Sequence, residues 1–147
     1  MAVLKHLKYE PIVSVMTTEL NSLANNTRTI SAAMGGDAVD ANLYGDWELA
    51  FTFAVAPTAD TVIDLYLIRA ADGTNYADGD ATNRPPSNTF VGSYQVRAVA
   101  TAQRITVPDV LFPPGLYKAI IYNNGTGQAL TASGHTLKVR PHNRQVA

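Results

Sequence analysis

The stretch Asp72-Gly73-Thr74-Asn75-Tyr76-Ala77-Asp78-Gly79-Asp80 gathers four side chains with hard oxygen donors: Asp72, Asn75, Asp78 and Asp80. Calcium is held by oxygens of this kind. The spacing does not follow the EF-hand loop, and the bidentate glutamate that closes such a loop is missing. Asp-Gly and Asn are also standard turn formers. Asp72, Asp78 and Asp80 are therefore weak metal candidates, and an exposed connection is the simpler reading.

Other chemistry is harder to assemble. His6, His135 and His142 have no ligand-like spacing to one another. No His stands beside a Ser or carboxylate in a nucleophile motif, and Gly-x-Ser-x-Gly does not occur. Asn123-Asn124-Gly125-Thr126-Gly127 reads as a turn between strands, having no lysine and no following helix. The chain has no cysteine, which removes disulfides, thiolate nucleophiles and cysteine metal sites together. The expectation is a protein that is not an enzyme, with no catalytic residue and no cofactor.

The elements around that loop are mostly strands. Trp47, Leu49, Phe51, Phe53 and Val55 alternate with Glu48, Ala50, Thr52 and Ala54, a half-buried strand. Further strands are expected over Thr61 to Arg69, Thr89 to Val99, Gln103 to Val107 or Leu111, Leu116 to Asn123 and Thr136 to Arg140. That is six or seven strands with no regular helix between them. Before residue 45 the texture differs. Residues 1 to 15 read as an extended arm, since Pro11 bars a helix there, and Ile12, Val13 and Val15 favour a short strand. Thr17 to Thr27 reads as a short helix, with Met16, Leu20 and Leu23 on one stripe.

The resulting expectation is all-β: an antiparallel β-sandwich, jelly-roll-like, with an N-terminal extended arm and one short helix. Residues 1–45 would form the arm and helix, and 46–147 the β-sandwich body with a basic tail. Two strands are apolar on both faces, notably Ile63, Leu65 and Leu67 against Val62, Tyr66 and Ile68. A sheet with one wet face would not need this. Such a strand asks for cover, from the helix or from a second subunit.

Charge points the same way. The chain carries a net charge of −1. Lys5, Lys8, Lys138, Arg140 and Arg144 lie at the two ends, while residues 9 to 137 hold six Lys/Arg and all twelve Asp/Glu. Ends and body of opposite sign favour ends that dock on a body, its own or a neighbour's. The dispersed Arg69, Arg84, Arg97 and Arg104 argue against nucleic acid. No apolar run is long enough for a membrane span, and Met1 to Lys8 lacks the apolar core of a secretory leader.

Three strings carry a resemblance. They are Met16-Thr17-Thr18-Glu19-Leu20-Asn21-Ser22-Leu23-Ala24-Asn25-Asn26, then Leu65-Tyr66-Leu67-Ile68 with Asp72-Gly73-Thr74-Asn75-Tyr76, and Pro113-Pro114-Gly115-Leu116-Tyr117-Lys118-Ala119 with Asn124-Gly125-Thr126-Gly127-Gln128-Ala129-Leu130. Together they resemble a family of small tailed-bacteriophage virion proteins, over about Pro11 to Arg140. The resemblance implies a virion component without catalytic residues, in head or tail.

The function expected from these features is a capsid decoration or cement protein on the outer head surface, made in the host bacterial cytoplasm. Its partners would be the major capsid protein and copies of itself, as a homo-oligomer of trimer type, with no nucleic acid and no membrane. The expected assembly interface comprises Val3, Leu4, Leu7, Ile12, Val13, Val62, Tyr66, Ile68, Arg140 and Arg144. The alternative is a tail or fibre module that binds host glycan through loop aromatics such as Tyr76.

Overall fold

The computed structural model describes residues 4–35 and 42–146, with side chains described from residue 9 to residue 143 within those spans. Val3 lies outside them, and for Leu4, Leu7 and Arg144 only the backbone is described. The described residues form nine strands: β1 (Leu4–Tyr9), β2 (Val13–Met16), β3 (Arg28–Ile30), β4 (Tyr44–Phe51), β5 (Val62–Arg69), β6 (Phe90–Gln95), β7 (Gln103–Leu111), β8 (Tyr117–Asn124) and β9 (Thr136–Val146). They make two antiparallel sheets. One has the order β1-β9-β4-β7 with β2 also on β9, the other β3-β8-β5-β6. Among the described residues, helical structure is confined to two short 3-10 turns, Thr18–Leu20 and Ser87–Thr89. No helix among the described residues is long and apolar enough to cross a membrane.

Strand β4 shows why the sheets stack. Its residues alternate half-buried and buried, placing Trp47, Leu49 and Phe51 inward. They share one apolar cluster with Ile63, Leu65, Leu67, Tyr94, Ala119 and Ile121 from the other sheet. The Tyr94 hydroxyl reaches the Trp47 carbonyl at 3.4 Å, and burial pushes its pKa up.

The segment expected to be helical from Thr17 to Thr27 is not a helix. Ser22 and Asn26 adopt positive φ (56° and 59°), which ends any helical run. Their backbone N–H groups are spent at long range instead, Ser22 on Thr131 O and Asn26 on Asn123 O. The stripe Met16, Leu20 and Leu23 is real, but it is sunk in the shared core rather than laid over a sheet. Tertiary bonds here outbid local propensity.

Both chain ends are held within the chain. β1 and β2 run one after the other along the same edge of β9, pairing Leu4 with Val146, Tyr9 with His142, and Val13 with Val139. Pro11 lies in the gap between them, where a missing N–H costs no ladder bond. The basic ends pair with each other, Lys5 facing Gln145 and Lys8 facing Asn143 in register, and β9 also lies on the body, with Lys138 facing Glu48 and Arg140 facing Asp46 on β4.

The two-sided strand β5 also finds its cover in cis. Tyr66, Ile68 and Ile120 form a second apolar cluster, packed with Ile30, Tyr76, Ala77 and Tyr122. The loop after β5 folds back over the sheet, with Tyr76 bridging to Ala70 and Ala77 N–H donating to Arg69 O. Gly79 sits so close to this surface that a Cβ there would meet Pro85 at 2.8 Å and Ile120 at 3.2 Å. Tyr66 and Ile68, expected at an interface between copies, are therefore buried by their own chain, at 3% and 1% exposure. Val62 is half-buried.

Candidate functional site

The acidic loop resolves into two turns of the same construction. Asp72 Oδ1 accepts N–H bonds from Thr74 (2.8 Å) and Asn75 (2.6 Å), and its Oδ2 accepts from Asn75 Nδ2. Asp80 does the same with Thr82, Asn83 and Asn83 Nδ2. These bonds, the Asn75 backbone N–H foremost, hold the Asp72 carboxyl down at about 2; the Asn83 backbone N–H leads in lowering Asp80. The sequence carried the signal as Asp-x-Thr-Asn at residues 72–75 and again at 80–83. Both carboxylates are committed to turn formation, so the weak calcium candidates act as Asx-turn residues. Asp78 is exposed on the rim of an open concavity of about 650 Å3 that Tyr76 and Arg84 also line. Tyr76 is half-buried, and the Lys118 ammonium sits over its ring at 4.3 Å.

A different group converges on the outer face of the five-stranded sheet. His142, on β9, is fully buried there. Its register partners are Tyr9 on β1 and Tyr44 on β4, and both rings pack on it, Tyr44 stacked at 5.9 Å and Tyr9 edge-on at 5.6 Å. Two carboxylates meet its Nε2: Asp46 Oδ1 at 3.2 Å and Asp109 Oδ1 at 3.4 Å. Their side chains are 23% and 51% exposed. Nδ1 has no hydrogen-bond partner among the described residues.

A bulge builds this meeting. The β4–β7 register shifts between Gly45 and Trp47, so that Val110 faces Gly45 but Val107 faces Trp47. Two residues of β7, Pro108 and Asp109, lie opposite Asp46 alone, one more than a regular ladder would place there. Asp109 takes φ = 53°, and its N–H donates to Asp46 Oδ1 at 3.0 Å. A bulge turns a side chain out of its strand's alternation; here it turns Asp109 toward β9. Gly45 permits the underside to close, since a Cβ would lie 2.5 Å from Phe112 and 2.6 Å from Val139.

Spacing along the chain did not announce this trio, because 96 residues separate His142 from Asp46 and 63 separate Asp109 from Asp46. The hint available was Pro108-Asp109 inside an otherwise regular strand pattern.

The expected assembly residues are placed as follows. Ile12 and Val13 are exposed at 60% and 41%. Val13 is in register with the core residue Val139, whereas Arg140 is exposed on the outer face with Ile12, its guanidinium 4.3 Å over the Tyr9 ring. Ile12 and Arg140 line a shallow pocket of about 210 Å3 together with Asp46, Glu48, Thr106 and Lys138. Compared with protein-family models, curated proteins and solved structures, the chain matches none.

Proposed function

We propose that this chain is a structural component of a tailed-bacteriophage virion, a decoration or cement protein bound to the outside of the head. In this reading the two sheets are the layers of an antiparallel β-sandwich of jelly-roll kind, and the body assembles as a symmetric trimer. The partners are the major capsid protein and further copies of the chain. The observation that carries the reading is the exposed pair Tyr9 and Ile12, at the gap between β1 and β2 beside Arg140 on the outer face of β9. A backbone already pinned needs no further ordering when a partner covers these side chains. Each Å2 of apolar surface they lose contributes about 25 cal/mol.

Quantitative mass spectrometry of purified virions tests the placement. Hundreds of copies, near parity with the shell subunit, are expected; a few dozen would put the chain in the tail and overturn the reading. Because β1 and β2 are ladder strands, removing residues 1–15 would strip the edge of β9. The cleaner probe is Ile12→Ser with Val13→Ser, which should leave folding intact and weaken binding to undecorated heads at least tenfold.

A further inference from the structure

From the side chains that meet at the β4–β7 bulge, we infer that His142 Nε2, Asp46 and Asp109 form a binding site for a divalent ion of the zinc class. The donor atoms of the three lie within 4.8 Å of one another. Zinc bonds nitrogen and carboxylate oxygen at about 2.0–2.2 Å, so two ligands of a tetrahedral ion stand about 3.3–3.5 Å apart. The Nε2 spacings of 3.2 and 3.4 Å match that edge. They are long for charge-assisted N–H···O⁻ bonds, which close to about 2.7–2.9 Å. The buried imidazole is therefore aimed between two carboxylates, hydrogen-bonded to Asp46 at the long end of the range and facing Asp109 beyond it, at spacings that an ion could also bridge.

The donor set chooses the metal. One imidazole and two carboxylates suit zinc and its neighbours, whereas calcium and magnesium ask for oxygen alone. The ion would be closed off on the side of His142 and open beside Asp109, which is 51% exposed. The pocket that reaches Asp46 gives it a route from solvent. Arg140 pairs with Asp46 in register, but its guanidinium is drawn onto the Tyr9 ring. An ion here ties β4, β7 and β9 together at the point where the bulge interrupts their ladder.

Affinity should be moderate. Metal-bound histidines usually donate Nδ1–H to an acceptor, and a missing partner of this kind costs about 10–100-fold. For His142 none is present among the described residues, so zinc should bind about 10–100-fold more weakly than with that acceptor in place. At a dissociation constant on the order of 10 µM, zinc at about 100 µM is in about tenfold excess and stabilises the folded chain by mass action.

The test uses the full chain stripped with chelator and titrated with zinc chloride. At 100 µM zinc the melting temperature should rise by about 3–5 °C, and cobalt should give the strong visible bands of a four-coordinate ion. Asp109→Asn is the informative variant, because Asn tolerates the left-handed φ that Asp109 adopts. It should fold normally and bind zinc at least tenfold more weakly. No shift in the parent chain would overturn the assignment. So would an undiminished shift in Asp109→Asn, which would place the zinc on His6 or His135 instead.

Discussion

Two of the polar clusters buried in this protein, one on each sheet, are built on opposite principles. In the four-stranded sheet, Asn123 and Thr126 are fully buried. Asn123 Nδ2 donates to Leu23 O and Gln128 O, its Oδ1 accepts from the Thr126 hydroxyl, and Asn25 and Asn26 clamp the adjoining glycine N–H groups. Every polar atom of that amide is matched, so the cluster locks residues 23–26 onto the turn after β8. The His142 cluster on the other sheet leaves Nδ1 unmatched among the described residues, joins Nε2 to Asp46 by one long bond of 3.2 Å and keeps Asp109 at 3.4 Å. A satisfied network fastens a fold; an incompletely satisfied one presents donor atoms to something else.

The contrast can be broken by mutation. Asn123→Ala removes three side-chain hydrogen bonds at once and should cost about 3 kcal/mol in urea unfolding, at roughly 1 kcal/mol each. A loss under 1 kcal/mol would mean that water replaces the amide and the lock is loose. Gly45→Ala comes next. Its Cβ would collide with Phe112 and Val139 beneath the bulge, for a cost of about 1–3 kcal/mol. That strain should also displace Asp46 and weaken zinc binding.

His142→Phe, measured with chelator present, should change stability by less than about 1 kcal/mol, since a ring of similar volume keeps the packing between Tyr9 and Tyr44. A penalty as large as that of Asn123→Ala would erase the distinction between the clusters.

The smallest effect concerns the exposed turns. The folded-state value for the Asp72 carboxyl is depressed to about 2, against about 3.9 for an unfolded chain. Its contribution to stability is present above pH ~4 and is lost as pH falls through about 2. A carboxyl titration followed by carbon NMR should give a midpoint near 2; one near 4 would show the Asx-turn open in solution.

Legibility followed the range of the interactions involved. The alternation through Trp47, Leu49 and Phe51 announced β4, because a strand half in water repeats every two residues whatever it packs against. Strand β3, only Arg28–Ile30, was invisible: three residues carry no period, and pairing with β8 makes them a strand. The stripe Met16, Leu20 and Leu23 was correctly marked for burial and wrongly given a helix, since core residues satisfy the same spacing in an irregular segment. The two-sided strand β5 did ask for cover. That cover came from the loop carrying Tyr76 and Ala77, taken for an exposed connection.

By itself, then, the sequence determined that the chain is built of strands, that it forms no disulfide, and that its basic residues crowd toward its ends. These follow from side-chain pattern and composition, which act locally or without regard to partner. Only the tertiary structure decided that the two ends pair along β9, that Tyr66 and Ile68 are covered in cis, and that Asp46, Asp109 and His142 meet. Each of those depends on strand register, and register is set by the whole sheet at once. A single bulge at Pro108-Asp109 is enough to turn an isolated aspartate toward a histidine on the far side of β4.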